Sequence, residues 1–256
     1  EGASTQATSA PFGAGDDTSV AYSRQNDFYY IPGEAFRVPD WMDGYQPLGG
    51  IAHPLADHYF DENPAKWTGN GSRSARPSMF DWYETVKVNF GIRPDGSKDF
   101  DSLPEGYENK SCQDHRIFWK DRQVPDSWKK FRDIAMYWLD KGVDGFRYDM
   151  AEMVPVEFWS YMNSEIKGVR PDAFLLAEIY QPELYRDYIR LGKMDYLYDK
   201  VQLYDSLKAI MQGLRDDTVL IMDAMLVEDF PAVADAAVRS REAGFELLEI
   251  HGAHGY

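Results

Sequence analysis

Asp149 closes the run Val143-Asp144-Gly145-Phe146-Arg147-Tyr148-Asp149, and Glu178 lies near the end of the apolar run Phe174-Leu175-Leu176-Ala177-Glu178-Ile179. If the two runs are neighbouring parallel strands, about 4.8 Å apart, their carboxylates face one cleft. Two carboxyls roughly 5 to 5.5 Å apart can break a glycosidic bond with retention, one attacking the anomeric carbon while the other protonates the leaving oxygen. Arg147 stands two residues before Asp149 and so shares its strand face, where a fixed cation keeps an aspartate ionised. The acid role requires a protonated Glu178, so the pattern predicts surroundings that raise its pKa. A plainer reading stays open on spacing alone: an Asp or Glu ending a strand is commonly a helix cap or a loop ligand.

Such a pair needs a sheet behind it, and the chain beyond about residue 125 has the pattern for one. Ser127 is placed to cap a helix bearing Trp128, Phe131, Ile134, Ala135, Trp138 and Leu139 on one face, with Gly142 ending it. A second helix is predicted from Pro155 to Lys167, and a strand buried on both faces over Phe174 to Ile179. A helix near Pro182 to Arg190, a strand from Met194 to Tyr198 and a helix from Leu203 to Met211 follow. This alternation predicts an α/β fold with a parallel sheet and crossover helices. The first ~110 residues differ: Gly, Pro, Asn, Asp and Ser interrupt nearly every apolar run, so loops and at most short strands are expected there. Trp82 and Tyr83 in that region, with Tyr180 beside Glu178, are aromatics suited to stacking on sugar rings.

The wording of these segments carries a resemblance. Gly145-Phe146-Arg147-Tyr148-Asp149 resembles the Gly-Phe-Arg-x-Asp signature of the α-amylase family, glycoside hydrolase family 13, and Ala177-Glu178-Ile179-Tyr180 resembles its acid/base segment. The longer run Asp144 to Pro155 is similar to an amylase subgroup common in Bacteroidetes-type bacteria. Asp27-Phe28-Tyr29-Tyr30, Asn63-Pro64-Ala65-Lys66-Trp67 and Asp81-Trp82-Tyr83-Glu84-Thr85-Val86-Lys87 resemble that subgroup's inserted B domain. Over roughly residues 12 to 213, the resemblance implies a partial (β/α)8 TIM barrel with a loop-rich B-type domain on its N-terminal side. It also implies a retaining hydrolase of α-glucans, with Asp149 as nucleophile, Glu178 as acid/base, and Arg147, Tyr180, Trp82 and Tyr83 on the substrate. No cofactor is required; a structural calcium has room in the scheme, although Glu152-Met153 replace the His and Lys that many amylases carry after the nucleophile.

The family's Asp-x-x-x-Asn-His segment should precede the B domain, and its Asn-His-Asp segment should supply a third carboxylate; neither is found in this sequence. The expectation is therefore a truncated or composite chain with an incomplete site. Three parts are expected: a B-domain-like region over 1–115, barrel strands four to six over 116–213, and a βα unit over 214–256. That last part, with a helix over Phe230 to Ala243 and a strand over Phe245 to Ile250, resembles the old yellow enzyme family of flavin oxidoreductases. There, His251 and His254 would polarise a substrate carbonyl and Tyr256 would deliver a proton. FMN enters only under this alternative of an ene-reductase fragment; the blander reading leaves the two histidines idle. A non-catalytic carbohydrate-binding remnant is the third reading.

Composition bounds the partners. A formal net charge of −16 argues against a phosphate backbone, which needs clustered Lys and Arg. No stretch approaches the roughly 18 to 20 apolar residues of a membrane span. With one cysteine, Cys112, neither an intramolecular disulfide nor a multi-cysteine metal site can form. Aromatics at 15% point first to a well-filled core. The single cysteine leaves the compartment open; the resemblance implies a bacterial setting, with periplasm or secretion favoured over cytoplasm.

Overall fold

A computed structural model of the chain describes residues 11–39, 62–198, 205 and 208, and the backbone of 219–224 and 246–252. The order of elements in the described part is strand, strand, helix, helix, then strands and helices alternating as far as β5, with two further strands after it: β1 (Tyr30–Ile31), β2 (Ala65–Lys66), α1 (Cys112–Lys120), α2 (Asp126–Asp140), β3 (Gly145–Tyr148), α3 (Val156–Val169), β4 (Phe174–Ala177), α4 (Tyr185–Arg190), β5 (Tyr196–Leu197), β6 (Val219–Ala224) and β7 (Glu246–Gly252). The class is α/β with parallel sheet, as the alternation implies. The described parallel strands form two sheets, β3-β4-β5 and β6-β7, rather than one closed barrel.

By compactness the chain divides into one unit of Glu1–Pro104, Gln113–Val143 and Glu165–Pro171, and a second of Glu105–Cys112, Asp144–Ser164 and Asp172–Tyr256. In the first, β1 and β2 pair antiparallel over two residues each, and single bridges join Phe28 to Val88 and Thr68 to Val86. So little ladder leaves many backbone groups to be satisfied by side chains. Asp16 accepts the amides of Asp27 and Phe28 and the Tyr30 hydroxyl. Buried Asn89 donates to the carbonyls of Ser23 and Asn26 and accepts the Gly91 amide. Asp27, also buried, accepts the Gly13 amide and pairs with Lys130. Aromatics fill the remainder: Tyr29 stacks on Trp67 at 4.5 Å, and Trp128 lies 4.9 Å from Phe100 and 5.7 Å from Trp119. Most of the described tryptophans are thus core residues, and Trp82 is an exposed exception.

Helix α2 begins one residue before the expected Ser127 cap. Ser127 is buried inside it, and its hydroxyl donates to the Asn89 carbonyl, so it ties the helix to the loops instead of capping it. The other end behaves as expected. Gly142 takes φ 90, its amide reaches the Leu139 carbonyl at 3.0 Å, and the Val143 amide reaches Trp138 at 3.3 Å, the paired bonds of a Schellman stop. Trp138, placed on the apolar face by spacing, is exposed. Helix α1 has no counterpart in the sequence reading, because its inward face is His115, Phe118 and Trp119 while Ile117 points out at 60% exposure. A buried histidine in the position of a hydrophobe hides the helical period.

In the second unit β3, β4 and β5 lie parallel, with Gly145 opposite Phe174, Tyr148 opposite Ala177, and Leu176 opposite Tyr196. Gly145 is demanded by this pairing, since a Cβ there would sit 1.9 Å from the Phe174 carbonyl oxygen. One face of β3 turns Tyr148 onto Trp159 of α3, with ring centroids 4.4 Å apart. The Tyr148 hydroxyl donates to Asn163 Oδ1 at 2.8 Å, and Asn163 Nδ2 donates onward to the Gly192 carbonyl at 2.7 Å. Buried from Glu157 to Ser164, α3 thereby fixes both the back of β3 and the approach to β5. The segment 182–190 is a 3-10 turn followed by α4, where one helix is expected. Strand β6 is absent from the sequence reading, while β7 falls one to two residues from its expected bounds; the two pair parallel. Of the helices expected over 203–211 and 230–243, Asp205 and Lys208 are helical and exposed, and the other positions lie outside the described residues.

Candidate active site

The alternation that buries Tyr148 sends Arg147 and Asp149 to the opposite face of β3. Asp149 and Glu178 each stand just past the C-terminal end of their strand, and Tyr198 just past β5, so three neighbouring strands deliver three polar side chains to one edge. Arg147 joins them. One guanidinium nitrogen pairs with Asp149, the second lies 3.2 Å from Glu178 Oε2, and Nε donates to the Tyr198 hydroxyl at 3.2 Å. The cation also lies 5.2 Å from the centre of the Tyr198 ring. A planar fork of five donors suits such three-way work in a way a lysine does not. These partners push the Arg147 pKa further up, the Tyr198 and Asp149 hydrogen bonds foremost.

The chain after β3 turns sharply. Met150 adopts φ 47 and ψ 40, a left-handed conformation that strains a residue with a side chain. The turn aims its amide at Glu178 Oε2, at 3.0 Å, and the Ala151 amide at the Glu178 carbonyl, at 3.1 Å. The Tyr180 hydroxyl donates to the other Glu178 oxygen. Glu152, in the 3-10 turn that follows, returns the favour: its Oε2 accepts the amides of Tyr180 at 2.8 Å and Gln181 at 3.2 Å.

Electrostatics overturn one expectation from the sequence. The Glu178 pKa is not raised but brought down to about 2, chiefly by the Tyr180 hydroxyl, then the Met150 amide, with Asp149 and the Arg147 charge adding to it and desolvation only partly opposing. Donors aimed at a carboxylate favour its ionised form, and Glu178 is ringed by them. The Arg147 guanidinium lies between the two carboxyls and contacts both. Exposure separates the two: the Asp149 side chain is 74% exposed and that of Glu178 10%. The arrangement holds one clasped, ionised carboxylate and one carboxylate open to solvent.

Asp149, Glu178, Arg147 and Tyr180 are therefore brought together. Trp82 and Tyr83 belong to the other unit, Trp82 exposed and Tyr83 half-buried. In the tail, His251 stands in β7 opposite Asp223, while His254 and Tyr256 lie outside the described residues. Sequence reasoning missed Tyr198, Met150 and Glu152. Tyr198 had a signal, since it ends the next expected strand as Asp149 and Glu178 end theirs. Met150 acts through its backbone amide and Glu152 through a carboxylate that accepts amides of a loop far along the chain, and neither partner can be read from residue spacing. Among the described residues no His, Cys, Asp and Glu cluster could hold a metal ion, and no helix is long and apolar enough to cross a membrane.

Fold and site together define an α/β protein with paired carboxylates at the ends of parallel strands. Over part of its length the chain is similar to the α-amylase family. It is 32% identical over 122 residues to an α-1,4-glucan:maltose-1-phosphate maltosyltransferase of Cereibacter sphaeroides, covering 47% of this chain and 18% of that protein. It is 27% identical over 88 residues to alpha-amylase 3 of Dictyoglomus thermophilum, covering 30% and 18%. Against neopullulanase 2 of Thermoactinomyces vulgaris the identity is 38% over 48 residues, covering 19% and 8%. The chain thus spans less than a fifth of the length of these relatives. No protein-family model matches it.

Proposed function

We propose that this chain carries the nucleophile and the acid/base of a retaining glycoside hydrolase or transferase acting on α-glucans, built on strands four to six of a TIM barrel. The observation that carries the reading is the single Arg147 guanidinium joining Asp149 to Glu178 at the C-terminal ends of adjacent parallel strands, where barrel enzymes keep their chemistry. The names of the partial relatives support the substrate class.

Asp149 attacks the anomeric carbon while Glu178 protonates the departing oxygen, giving a glycosyl-aspartate; Glu178 then takes a proton from water or an acceptor hydroxyl, which displaces Asp149. The ionised Glu178 described above is the form used in the second half. For the first half it must gain a proton, so the seated sugar must desolvate it enough to outweigh the surrounding donors. Tyr180 contacts sugar in this reading. The site as it stands is partial, because the third carboxylate that the resemblance calls for has no counterpart in the sequence.

The test is release of reducing sugar from maltoheptaose by the purified chain, beside an Asp149→Asn variant. Activity abolished by that substitution supports the assignment and refutes the partial site. Activity that survives it refutes Asp149 as nucleophile, and silence in both supports the partial site.

A further inference from the structure

The two loops that carry Asp149 and Glu178 are cross-linked in both directions. From the β3 side, the Met150 amide reaches the Glu178 carboxylate and the Ala151 amide its carbonyl. From the β4 side, the amides of Tyr180 and Gln181 both reach Glu152 Oε2. Glu152 is itself held from behind: the Tyr188 hydroxyl of α4 donates to the carbonyls of Glu152 at 3.1 Å and Val154 at 2.8 Å, and Trp159 Nε1 of α3 donates to the Ala151 carbonyl at 3.0 Å. Two consecutive amides pointing at one carboxylate oxygen fix the backbone at the residue whose hydroxyl meets Glu178. Although Glu152 lies in the first turn of a short 3-10 helix, its carboxylate grips the neighbouring loop.

We propose that Glu152 is a positioning residue: by accepting the amides of Tyr180 and Gln181 it sets the Tyr180 hydroxyl on Glu178. This rests on the reading of Glu178 as the acid/base. The groups facing Glu178 are Tyr180 from its own loop, Asp149 and the Met150 amide from the β3 loop, and Arg147 from β3, which Tyr198 beyond β5 holds in turn. Glu152 touches none of the reacting atoms, so its effect must pass through Tyr180.

The test reads the Glu178 side-chain carboxyl by carbon NMR across a pH titration, in the chain itself and in Glu152→Ala, Glu152→Gln and Tyr180→Phe variants. Glu178 should titrate about one pH unit higher in Tyr180→Phe and in Glu152→Ala, and return towards its original value in Glu152→Gln, whose amide oxygen still accepts the two backbone bonds. Movement in Tyr180→Phe alone overturns the role of Glu152, as does a Glu152→Ala chain that is less stable with Glu178 unmoved. No movement in either variant overturns the Tyr180 contact and the proposal with it. If Glu152→Ala does not fold, amide hydrogen exchange in the unsubstituted chain decides: the Tyr180 and Gln181 amides should both be protected, and amides that exchange freely overturn the proposal. None of these readouts needs turnover, so a failed maltoheptaose assay and a failed Glu152 assignment are separate results.

Discussion

Replacing Asn163 by alanine should loosen β3 from behind. Asn163 is fully buried; it accepts the Tyr148 hydroxyl at 2.8 Å and donates to the Gly192 carbonyl at 2.7 Å, with Met194 sulfur 3.2 Å away. Alanine strands two groups that water cannot reach, a hydroxyl and a carbonyl. Each unsatisfied buried group costs about 1–3 kcal/mol, so the pair costs about 2–6 kcal/mol. Reorientation of the Tyr148 hydroxyl favours the lower half, about 2–4 kcal/mol. Tyr148→Phe alone leaves Asn163 Oδ1 unpaired and should cost about 1–2 kcal/mol. Because both substitutions break the same bond, the double variant should be less damaged than the sum, by about 1 kcal/mol or more. Urea unfolding of the four proteins measures all of this, and amide exchange at residues 145–148 locates it. An Asn163→Ala loss below about 1 kcal/mol, or strict additivity, would refute the idea that this chain of bonds holds β3.

Two further outcomes follow from the geometry. Gly145→Ala places a methyl against backbone atoms of Phe174, the nearest 1.9 Å away; neither strand can yield, so the loss should reach roughly 3 kcal/mol or more, and a thermal melt unchanged by the substitution would disprove the Gly145–Phe174 register. Acid should also destabilise the chain. Glu178 is held at about 2 against an ordinary 4.5, and Asp99 is held low by Arg24, then by Tyr22 and Arg93. Both bind protons more readily when unfolded, so their contribution is complete above the ordinary carboxylate range and is lost as pH falls through it towards 2. Melting temperature should fall between pH 5 and about pH 2.5, less steeply in Asp99→Asn; a flat profile would contradict both shifts.

How far the site could be read from sequence depends on the kind of signal each residue leaves. Apolar period and strand-end position are local, so α2, α3, β3 and β4 were legible, as was the meeting of Arg147, Asp149 and Glu178. Helix α1 was not, because buried His115 stands where a hydrophobe would mark the face. Ser127 carried the right residue type for a cap and serves another purpose, because the Asn89 carbonyl that claims its hydroxyl is 38 residues away in the chain.

The sequence by itself determined the α/β alternation, the Gly145 that lets β3 and β4 approach, and the presence of two carboxylates and one guanidinium at adjacent strand ends. Tertiary structure decided the charge state of Glu178. The ionisation of Glu178 depends on which donors point at it, and those are the Tyr180 hydroxyl, an amide aimed by the left-handed turn at Met150, and a guanidinium shared with Asp149 and Tyr198. Residue spacing fixes which groups can meet along one strand. Direction, distance and exclusion of water between separate loops exist only once the loops have packed, and these set a pKa.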